Sequence, residues 1–448
     1  MSDWIATQRP HLRFAPKKGW INDPNGLIHW NGAYHLFAQH NPDATVWGPM
    51  HWLHAVSDDL LHWEELGIAL FPNELGTMFS GSAVCDVHNT AGFGAGALVL
   101  VFTQHGDQQT QGIAYSLDGQ KFTVFSGNPV IENPGIRDFR DPKVFWDAPR
   151  NRWAMVLSAF DHVEFYASPD LKYWNKTGEF GKSENQMSGV FECPDLFPLT
   201  APDGRELWAL LLSMGASPAE GGCRIQYFLG SFDGETFRQT EAADAPLMLD
   251  QGFDNYAAVT FSDTPQRMLL GWAANACYAG DVPAGPFRGS FTLPRRLFLL
   301  DTKQGVRLGA DPLLPQAAFV PLDTAGTLPP TGAYVLRLEA EGIFRVSLTN
   351  DLGEAVLIGL DADDMIYIDR SNAGQSTSGA VFTTPPHIIK KAPRSLSGAL
   401  TMRIIVDYTG IEIFAEEGAF AASVLAFPAQ RYDHAQIQGA CAELAFLA

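Results

Sequence analysis

A turn motif that recurs four times constrains the fold of this chain more than any other feature. The motif reads Ser-x-Asp-[Leu/Gly]-x-x-aromatic, and its copies are SDDLLHW (57–63), SLDGQKF (116–122), SPDLKYW (168–174) and SFDGETF (231–237). Each copy follows an apolar or alternating run, and its residues are typical of a tight connection between antiparallel strands. The copies begin 59, 52 and 63 residues apart. This spacing predicts four-stranded sheets arranged around one axis, as in a β-propeller.

The composition of the sequence changes after residue 310. Residues 311–332 are rich in Pro and Gly and are interpreted as a linker. Beyond them, short apolar segments separated by hairpin-like turns predict an antiparallel β-sandwich, and long helical periodicity is scarce. About five repeats fit before the linker. We therefore predict an all-β protein with a five-bladed β-propeller at 1–310, the linker at 311–332 and a β-sandwich at 333–448.

Charge and cysteine content exclude several classes of partner. The formal net charge is −20, from 50 acidic and 30 basic residues, which argues against nucleic acid and against an anionic membrane as partners. The five cysteines are odd in number and widely spaced, so a disulfide framework is not expected. The first residues, Met-Ser-Asp, begin no apolar stretch that resembles a signal peptide. These features favour a cytoplasmic protein, and they predict no oligomeric state.

Three acidic residues of the propeller region precede prolines, the aspartates directly and the glutamate with one residue between: Asp23 in NDPNG, Asp141 in FRDPKVFW and Glu192 in VFECPDLF. Each has an ordinary interpretation as well as a catalytic one. Asp23 fits a common β-turn, and Asp141 fits a surface ion pair with Arg140 that contributes little. Glu192 lies in an apolar run, where an unpaired carboxylate would be costly, so it is either paired or functional. The intervals of 118 and 51 residues correspond to about two blades and one, so a propeller would bring the three acids together at its channel.

The sequence contains no convincing motif for binding a metal or a cofactor. In HWLH (51–54) the two histidines lie three residues apart, which places them on opposite faces of a strand. Walker, HExxH and Gly-x-Ser-x-Gly motifs are absent from the sequence. We therefore predict neither a metal nor a cofactor. Cys193 beside Glu192 is interpreted as a packing or hydrogen-bonding neighbour rather than as a nucleophile.

Taken together, the acidic motifs resemble those of the β-fructofuranosidases of glycoside hydrolase family 32, which include invertases, levanases and exo-inulinases. The matching motifs occur in order along nearly the whole chain: WINDPNG (20–26), QHNP (39–42), FSGSAV (79–84), FRDP (139–142), ECPDLF (192–197), FDNYAAVTF (253–261) and GW (271–272). Ordered agreement of so many short motifs is far more specific than any one of them. The family fold is a five-bladed propeller followed by a β-sandwich, which agrees with the fold predicted from the repeat.

The resemblance implies a retaining glycosidase with Asp23 as nucleophile, Glu192 as acid/base and Asp141 as the stabiliser of the transition state. Such an enzyme forms a covalent fructosyl intermediate that water resolves. The resemblance also implies a set of residues that bind the fructosyl unit: Trp20, Asn22, Gln39, Trp47, Phe79, Ser80, Arg140, Asp254 and Trp272.

We therefore predict an exo-β-fructosidase whose partner is a small sugar, sucrose or a fructo-oligosaccharide, with inulin and levan as further candidates. A fructosyltransferase on the same scaffold and a non-catalytic fructan-binding protein are the alternatives; the presence of all three acids argues against the second. An inverting arabinanase would need a larger separation between its carboxyl groups. The chain departs from the family pattern at Ala38, at Leu53 in WLHA (52–55), and at Ala276 and Phe287, where tryptophan is usual. The last two changes concern the subsite for the leaving group.

Overall fold

The computed structural model of the protein describes residues 9–181, 189–215, 218–241, 243–322, 325–329, 332–374 and 379–447. Strands form seven sheets, five of them before residue 313 and two after it. Helix occurs in these residues only as short turns: Ala148–Arg150, Pro218–Glu220, Gly379–Phe382 and Glu416–Gly418. Within the same residues, no helix is long and apolar enough to cross a membrane.

The first three sheets follow one another along the chain as antiparallel meanders. The strands of blade 1 are β1 (Gly19–Trp30), β2 (Ala33–Asn41), β3 (His51–Ser57) and β4 (Glu64–Leu70). The strands of blade 2 are β5 (Thr77–Asp86), β6 (Ala97–His105), β7 (Gln109–Ser116) and β8 (Thr123–Val124). The strands of blade 3 are β9 (Phe139–Asp147), β10 (Arg152–Ala159), β11 (Val163–Ser168) and β12 (Asn175–Phe180).

Blades 4 and 5 repeat this plan with small additions. The strands of blade 4 are β13 (Val190–Thr200), β14 (Glu206–Gly215), β15 (Arg224–Phe232), β16 (Phe237–Gln239) and the short β17 (Leu247–Met248). The strands of blade 5 are β18 (Tyr256–Thr260), β19 (Met268–Trp272), β21 (Arg295–Thr302) and β22 (Gly305–Pro312). The intervening β20 (Phe287–Arg288) pairs in parallel with β1 and so joins the last blade to the first.

The first strands of the blades form a closed ring. β1 contacts β5, β5 contacts β9, β9 contacts β13, β13 contacts β18, and β18 contacts β1. A ring of five sheets whose first strands meet around one axis is a five-bladed propeller, so the predicted fold class is confirmed.

The recurring motif lies at the same place in blades 1 to 4, between the third and fourth strands. The serine hydroxyl donates to the aspartate two residues later in three copies: Ser57–Asp59 (3.1 Å), Ser116–Asp118 (3.0 Å) and Ser168–Asp170 (3.3 Å). In the fourth copy, Asp233 accepts hydrogen bonds from the backbone N–H groups of Glu235 and Thr236. In blade 5 the two strands are joined by the short turn Thr302–Gly305, which needs no such motif.

The segment interpreted as a linker takes part in the sandwich. β22 ends at Pro312. After it, β23 (Val320–Leu322) forms an edge strand of one sandwich sheet, and β24 (Ala325–Thr327) forms an edge strand of the other. Residues 323–324 and 330–331 of this segment lie outside the described residues, as do residues 1–8 of the predicted propeller domain.

The sandwich consists of two six-stranded antiparallel sheets. The first has the order β23-β34-β25-β30-β31-β32 and the second has the order β24-β33-β26-β27-β28-β29. The bounds of the remaining strands are β25 (Ala333–Ala340), β26 (Phe344–Thr349), β27 (Ala355–Leu360), β28 (Met365–Asn372), β29 (Ile389–Pro393), β30 (Leu400–Asp407), β31 (Gly410–Ala415), β32 (Phe420–Leu425), β33 (His434–Gln438) and β34 (Cys441–Leu447).

The first sandwich sheet packs against blades 4 and 5. Val335 and Ile405 of this sheet share one buried apolar cluster with Leu211 of blade 4 and Leu299 of blade 5. This packing joins the sandwich to the last two blades.

Buried arginines add charged contacts across the interface between the domains. Arg295 of blade 5 donates to Glu412 of the sandwich and to Asp250 of the propeller, both at 2.8 Å. Arg13, which precedes blade 1, donates to the backbone carbonyl of Asp407 at 2.9 Å. The carboxylate of Asp407 also accepts hydrogen bonds from the backbone N–H groups at positions 11 and 12.

Candidate active site

Every first strand of the propeller carries a β-bulge near one end of the channel. In each case two residues of the first strand lie opposite one residue of the second strand. The five pairs of bulged residues are Asn22–Asp23, Phe79–Ser80, Asp141–Pro142, Cys193–Pro194 and Ala257–Ala258. A bulge interrupts the alternation of the strand and redirects side chains, and bulges are frequent beside active sites. Proline is tolerated at such positions because the ladder there needs no N–H donor.

Blades 3, 4 and 5 share a more specific geometry at these bulges. The first bulged residue is in the left-handed region, with φ of 67° at Asp141, 43° at Cys193 and 52° at Ala257. This conformation is uncommon for residues with a side chain and tends to occur at functional sites. The residues just before these bulges, Arg140, Glu192 and Tyr256, all line the same cavity.

The cavity has a volume of about 620 Å³ and brings together most of the predicted site. The predicted residues that line it are Trp20, Asn22, Asp23, Gln39, Trp47, Phe79, Arg140, Asp141, Glu192 and Trp272. Residues that the sequence did not predict complete the wall: His105, Gln109, Asp138, Tyr256, Ala276, Ala279 and Gly280. Three acids that are up to 169 positions apart in the sequence therefore meet in one pocket.

Asp23 is held by neutral donors on both carboxylate oxygens. Asn22 donates to Oδ1 at 3.0 Å and the hydroxyl of Ser80 donates to Oδ2 at 2.5 Å. Burial raises the pKa of Asp23, and the nearby charge of Glu192 acts in the same direction, while the Ser80 hydrogen bond opposes them. The carboxylate is thus fixed in orientation without an ion pair that would neutralise it.

Asp141 lies deeper in the pocket, and its side chain is only 5% exposed. Its Oδ2 accepts a hydrogen bond from the backbone N–H of Cys193 at 2.9 Å and lies 3.8 Å from Nε of Arg140. Burial raises the pKa of Asp141 to about 7; Arg140 opposes this shift, and the charges of Asp23 and Glu192 add to it. This carboxyl group therefore titrates near neutral pH.

Glu192 receives one donor on each oxygen from the two neighbouring blades. Nη2 of Arg140 donates to Oε1 at 2.8 Å, and the hydroxyl of Tyr256 donates to Oε2. Burial raises the pKa of the Tyr256 hydroxyl well above its usual range, and Glu192 contributes to the shift, so this group remains a donor. Because Arg140, Glu192 and Tyr256 occupy equivalent positions of blades 3, 4 and 5, the pseudo-symmetry of the propeller builds this row of contacts directly.

Cys193 links the other two acids. Its thiol lies 3.6 Å from Oδ2 of Asp23 and 3.6 Å from Oδ2 of Asp141. Burial raises the pKa of the Cys193 thiol well above its usual range, and the surrounding carboxylates add to this effect. Cys193 is therefore a hydrogen-bond donor in the pocket, as the sequence interpretation expected, and not a thiolate nucleophile.

Aromatic side chains form the outer wall of the pocket. Trp47 is 57% exposed and its ring lies 6.1 Å from that of Phe79, which stacks on His105 at 4.4 Å. Trp20 and Trp272 meet edge to face at 5.7 Å on another side. Apolar ring faces beside polar groups suit the mixed surface of a sugar.

Two predicted binding residues lie elsewhere. Ser80 is buried behind the wall, where it orients Asp23 rather than facing the cavity. Asp254 is 1% exposed and does not line the cavity. Its carboxylate is occupied by Arg370 at 2.7 Å and by Tyr278, so the structure does not bring Asp254 to the cavity, and its binding of the sugar stays a prediction. The motif alone does not reveal that a sandwich arginine reaches this residue.

Sequence reasoning also missed Tyr256, although a signal for it exists. It occupies in blade 5 the position that Glu192 occupies in blade 4, immediately before the bulge. An alignment of the blades with one another would have pointed to it.

The groups with the spacing of metal ligands lie outside this cavity. In the described part of the chain they are His162, Glu164 and Glu179, and Asp351, Asp433 and His434. Lys176 already pairs with both acids of the first group. The absence of a metal from the reaction stays a prediction.

Comparisons with known proteins cover both domains. The description Glycosyl hydrolases family 32 N-terminal domain matches residues 13–312, and Glycosyl hydrolases family 32 C terminal matches residues 335–443. A levanase of Bacillus subtilis (strain 168) is 39% identical over 441 residues, which are 92% of this chain and 65% of that levanase. The chain spans 49% of the length of a second levanase, from Bacillus sp. (strain L7).

Solved structures with a similar fold cover nearly the whole chain. The crystal structure of exo-inulinase from Aspergillus awamori has a TM-score of 0.88 and 30% sequence identity, with 99% of each chain covered. The fructofuranosidase of Schwanniomyces occidentalis complexed with fructose has the same TM-score and 29% identity, and covers 99% of this chain and 98% of its own. With both domain descriptions matched and the propeller pocket and sandwich in place, the chain belongs to glycosyl hydrolase family 32.

Proposed function

We propose that this protein is an exo-acting β-fructosidase that releases terminal fructose from sucrose and fructo-oligosaccharides. The observation that carries the proposal is the convergence of Asp23, Asp141 and Glu192 in one pocket of the propeller. The levanase, exo-inulinase and fructofuranosidase named among its relatives support this choice of substrate.

The shape of the pocket supports attack on chain ends. Two positions after Asp141 on the same strand, Lys143 crosses the channel and donates to Asp195 at 3.1 Å and to the carbonyl of Thr260 at 2.6 Å. All three residues are buried and belong to the first strands of blades 3, 4 and 5. A pocket with a filled floor accepts a terminal sugar unit, whereas an open cleft would accept the middle of a chain.

The proposed mechanism has two steps. In the first, an oxygen of Asp23 attacks the anomeric carbon C2 while Glu192 gives its proton to the glycosidic oxygen, so the C2–O bond breaks and the leaving sugar departs as an alcohol. In the second, the Glu192 carboxylate takes a proton from water, the water oxygen attacks C2, and the bond to Asp23 breaks. The products are fructose, the free Asp23 carboxylate and protonated Glu192.

The neighbours of each acid support these roles. Asn22 and Ser80 orient both oxygens of Asp23 without neutralising them, which suits a nucleophile. Arg140 and Tyr256 hold Glu192 in place, which suits a group that must first give and then take a proton. Asp141 provides a buried carboxylate for the hydroxyls of the fructosyl ring and for the positive charge that develops at C2.

Product analysis with purified protein tests the proposal. We expect equimolar glucose and fructose from sucrose and monomeric fructose as the sole early product from inulin or levan. We expect β-fructofuranose to form first in a proton NMR time course, because two displacements retain the configuration. Fructo-oligosaccharides as the main product from concentrated sucrose would assign the protein to the fructosyltransferases instead, and inverted fructose would contradict the covalent intermediate.

The Glu192→Ala variant tests the acid role separately. An aryl β-fructofuranoside with an acidic phenol needs little protonation, so its cleavage step should suffer much less than that of sucrose. Equal losses on both substrates would contradict the assignment of Glu192 as the acid.

The cytoplasmic location stays a prediction. All five cysteines are free in the structure, which agrees with a reducing compartment. However, relatives among the exo-inulinases are named extracellular. Cell fractionation with an antibody against the protein would decide between the two locations.

A further inference from the structure

The segment between β19 and β20 forms part of the wall of the active site. We call residues 273–282 the rim loop. Ala276, Ala279 and Gly280 of this loop line the cavity beside the acids. The loop is folded on itself, since the N–H groups of Tyr278 and Ala279 both donate to the carbonyl of Asn275, at 3.1 and 2.9 Å. Its lining residues carry no functional groups, so they act on a substrate through their position.

Within the propeller, Asn275 anchors the start of the rim loop. The amide of Asn275 is fully buried and donates to the carbonyls of Phe253 and Gly221 at 3.0 and 3.1 Å. Its oxygen accepts from the N–H of Cys277 at 3.1 Å. This anchor fixes the start of the loop against blades 4 and 5.

The second anchor comes from the sandwich domain. Tyr278, at the middle of the loop, is 1% exposed; its hydroxyl donates to Oδ1 of Asp254 and accepts from Nη2 of Arg370 at 2.9 Å. Arg370 belongs to β28 of the sandwich and also donates from Nη1 to Oδ2 of Asp254 at 2.7 Å. The guanidinium therefore holds the loop tyrosine and the propeller aspartate at once.

Arg370 is itself fixed by the sandwich backbone. Its side chain is fully buried, Nε donates to the carbonyl of His387 at 2.7 Å, and Nη1 donates to the carbonyl of Leu425 at 2.9 Å. The N–H of Leu425 in turn donates to Oδ2 of Asp254 at 2.7 Å. A bidentate, planar donor of this kind cannot be replaced by lysine without loss of contacts.

We propose that Arg370 of the sandwich is a positioning residue for the active site, which sets the place of the rim loop and so the selectivity for the sugar units beyond the terminal fructose. The inference rests on the proposed function. The three acids are held by the bulged strands and do not depend on the loop, so displacement of the loop changes substrate binding more than the chemical step. A longer substrate reaches further along the wall and depends more on the loop than sucrose does.

Arg295 provides a matched control on the same interface. It is also fully buried and also joins the propeller to the sandwich, through Asp250, Glu412 and the hydroxyl of Ser423. None of these residues lines the cavity. Lysine at position 295 should therefore weaken the interface without moving the rim loop.

The experiment compares kcat/KM for sucrose and for the inulin-type trisaccharide 1-kestose in the full-length protein. The ratio of the two values does not depend on the fraction of folded enzyme. We expect Arg370→Lys to lower the ratio of kestose to sucrose by about tenfold, mainly through KM, and Arg295→Lys to leave the ratio unchanged while both variants lower Tm. An unchanged ratio in a folded Arg370→Lys protein would overturn the positioning role.

A second pair of variants covers the case in which Arg370→Lys does not fold. Tyr278→Phe removes only the hydroxyl that Arg370 and Asp254 share, and should shift the ratio in the same direction. Tyr334→Phe removes a fully buried hydroxyl that has no hydrogen-bond partner among the described residues, and should not change the ratio. The same kestose-to-sucrose ratio in Tyr278→Phe and Tyr334→Phe would overturn the inference. A wild-type protein that cleaves neither sugar would overturn the proposed function instead.

Discussion

Two buried charge clusters in this protein have opposite imbalances. The mouth cluster, at the active site, consists of three acids, Asp23, Asp141 and Glu192, and of Arg140, which pairs with Glu192 and also with Asp138. Its surplus of negative charge adds to burial and raises the pKa of Asp141 to about 7, against the opposing effect of Arg140.

The interface cluster has the reverse composition, with three cations, Arg370, Lys390 and Arg224, and one acid, Asp254. Burial, and then the charges of Arg224 and Arg370, lower the pKa of Lys390 to about 7. The two clusters use buried charge in different ways. The surplus of acids at the mouth raises the pKa of a buried carboxyl group, as is frequent at functional sites. At the interface, Asp254 pairs with Arg370 of the sandwich and joins the two domains.

The largest expected effect is on activity at the mouth cluster. Asp23→Ala should lower kcat on sucrose by about 10⁴-fold or more, because no other group in the pocket can take the place of the attacking oxygen. The fold should remain intact, since the donors to Asp23 are side chains and the bulge is set by the strand. Circular dichroism should match that of the wild type and Tm should not fall; retained activity would show that Asp23 is not the nucleophile.

The interface should respond in stability instead. Arg295→Met removes the partner of two buried acids, Asp250 and Glu412, and should lower the free energy of unfolding by about 3–5 kcal/mol. Activity per folded molecule should change little. The neighbouring Arg296, whose side chain is 48% exposed, gives the control: Arg296→Met should change stability by at most about 0.5 kcal/mol. Similar losses of unfolding free energy in Arg295→Met and Arg296→Met, measured by urea unfolding, would contradict a special role of the buried arginine in stability.

Removal of charge from the mouth cluster should stabilise the fold while it harms catalysis. The folded state binds the proton of Asp141 more tightly than the unfolded state does, so this stabilisation is present below about pH 4 and is lost as pH rises through 7. Asp141→Asn removes the loss and should gain about 2 kcal/mol at pH 8. The gain should vanish near pH 4, and urea unfolding at the two pH values measures it. A gain that does not depend on pH would exclude this explanation.

The smallest effect concerns the surplus cation of the interface. The pKa of Lys390 is lower in the folded than in the unfolded state, so its charge destabilises the fold fully below pH 7 and less as pH rises toward 10. Because Lys390 is only partly buried, we expect Lys390→Met to gain no more than about 1 kcal/mol at pH 6, and less at pH 9. The adjacent Lys391, half exposed and paired with Asp361, is the control and should show no such gain.

The sequence predicted the parts of the fold that local chemistry determines. Four blades were recognised because Ser57, Ser116, Ser168 and Asp233 belong to turns whose side chains satisfy the backbone within a few residues. The fifth blade closes with the turn Thr302–Gly305 and carries no such mark. The edge strands within the linker were not predicted, because their pairing partners lie about 100 residues or more away.

The same distinction applies to the site. Asp23, Asp141 and Glu192 were recognised because each stands one or two positions before a proline, which is visible in the sequence. The contacts of Asp254 were not predicted, because its partner, Arg370, is 116 positions away in another domain. Contacts of that separation have no local signature, and resemblance to a family transfers a motif without its environment.

The contact of the N-terminal segment with Asp407 has a consequence for how the molecule unfolds. In the described residues, the backbone closure between the first and last blades is short: β20 pairs with β1 over two residues, and Ile28 forms a single bridge with Ser262. The sandwich contacts both sides of this closure. Asp407 binds the segment before blade 1, and Glu412 binds blade 5. Propeller and sandwich should therefore melt in a single calorimetric transition rather than in two.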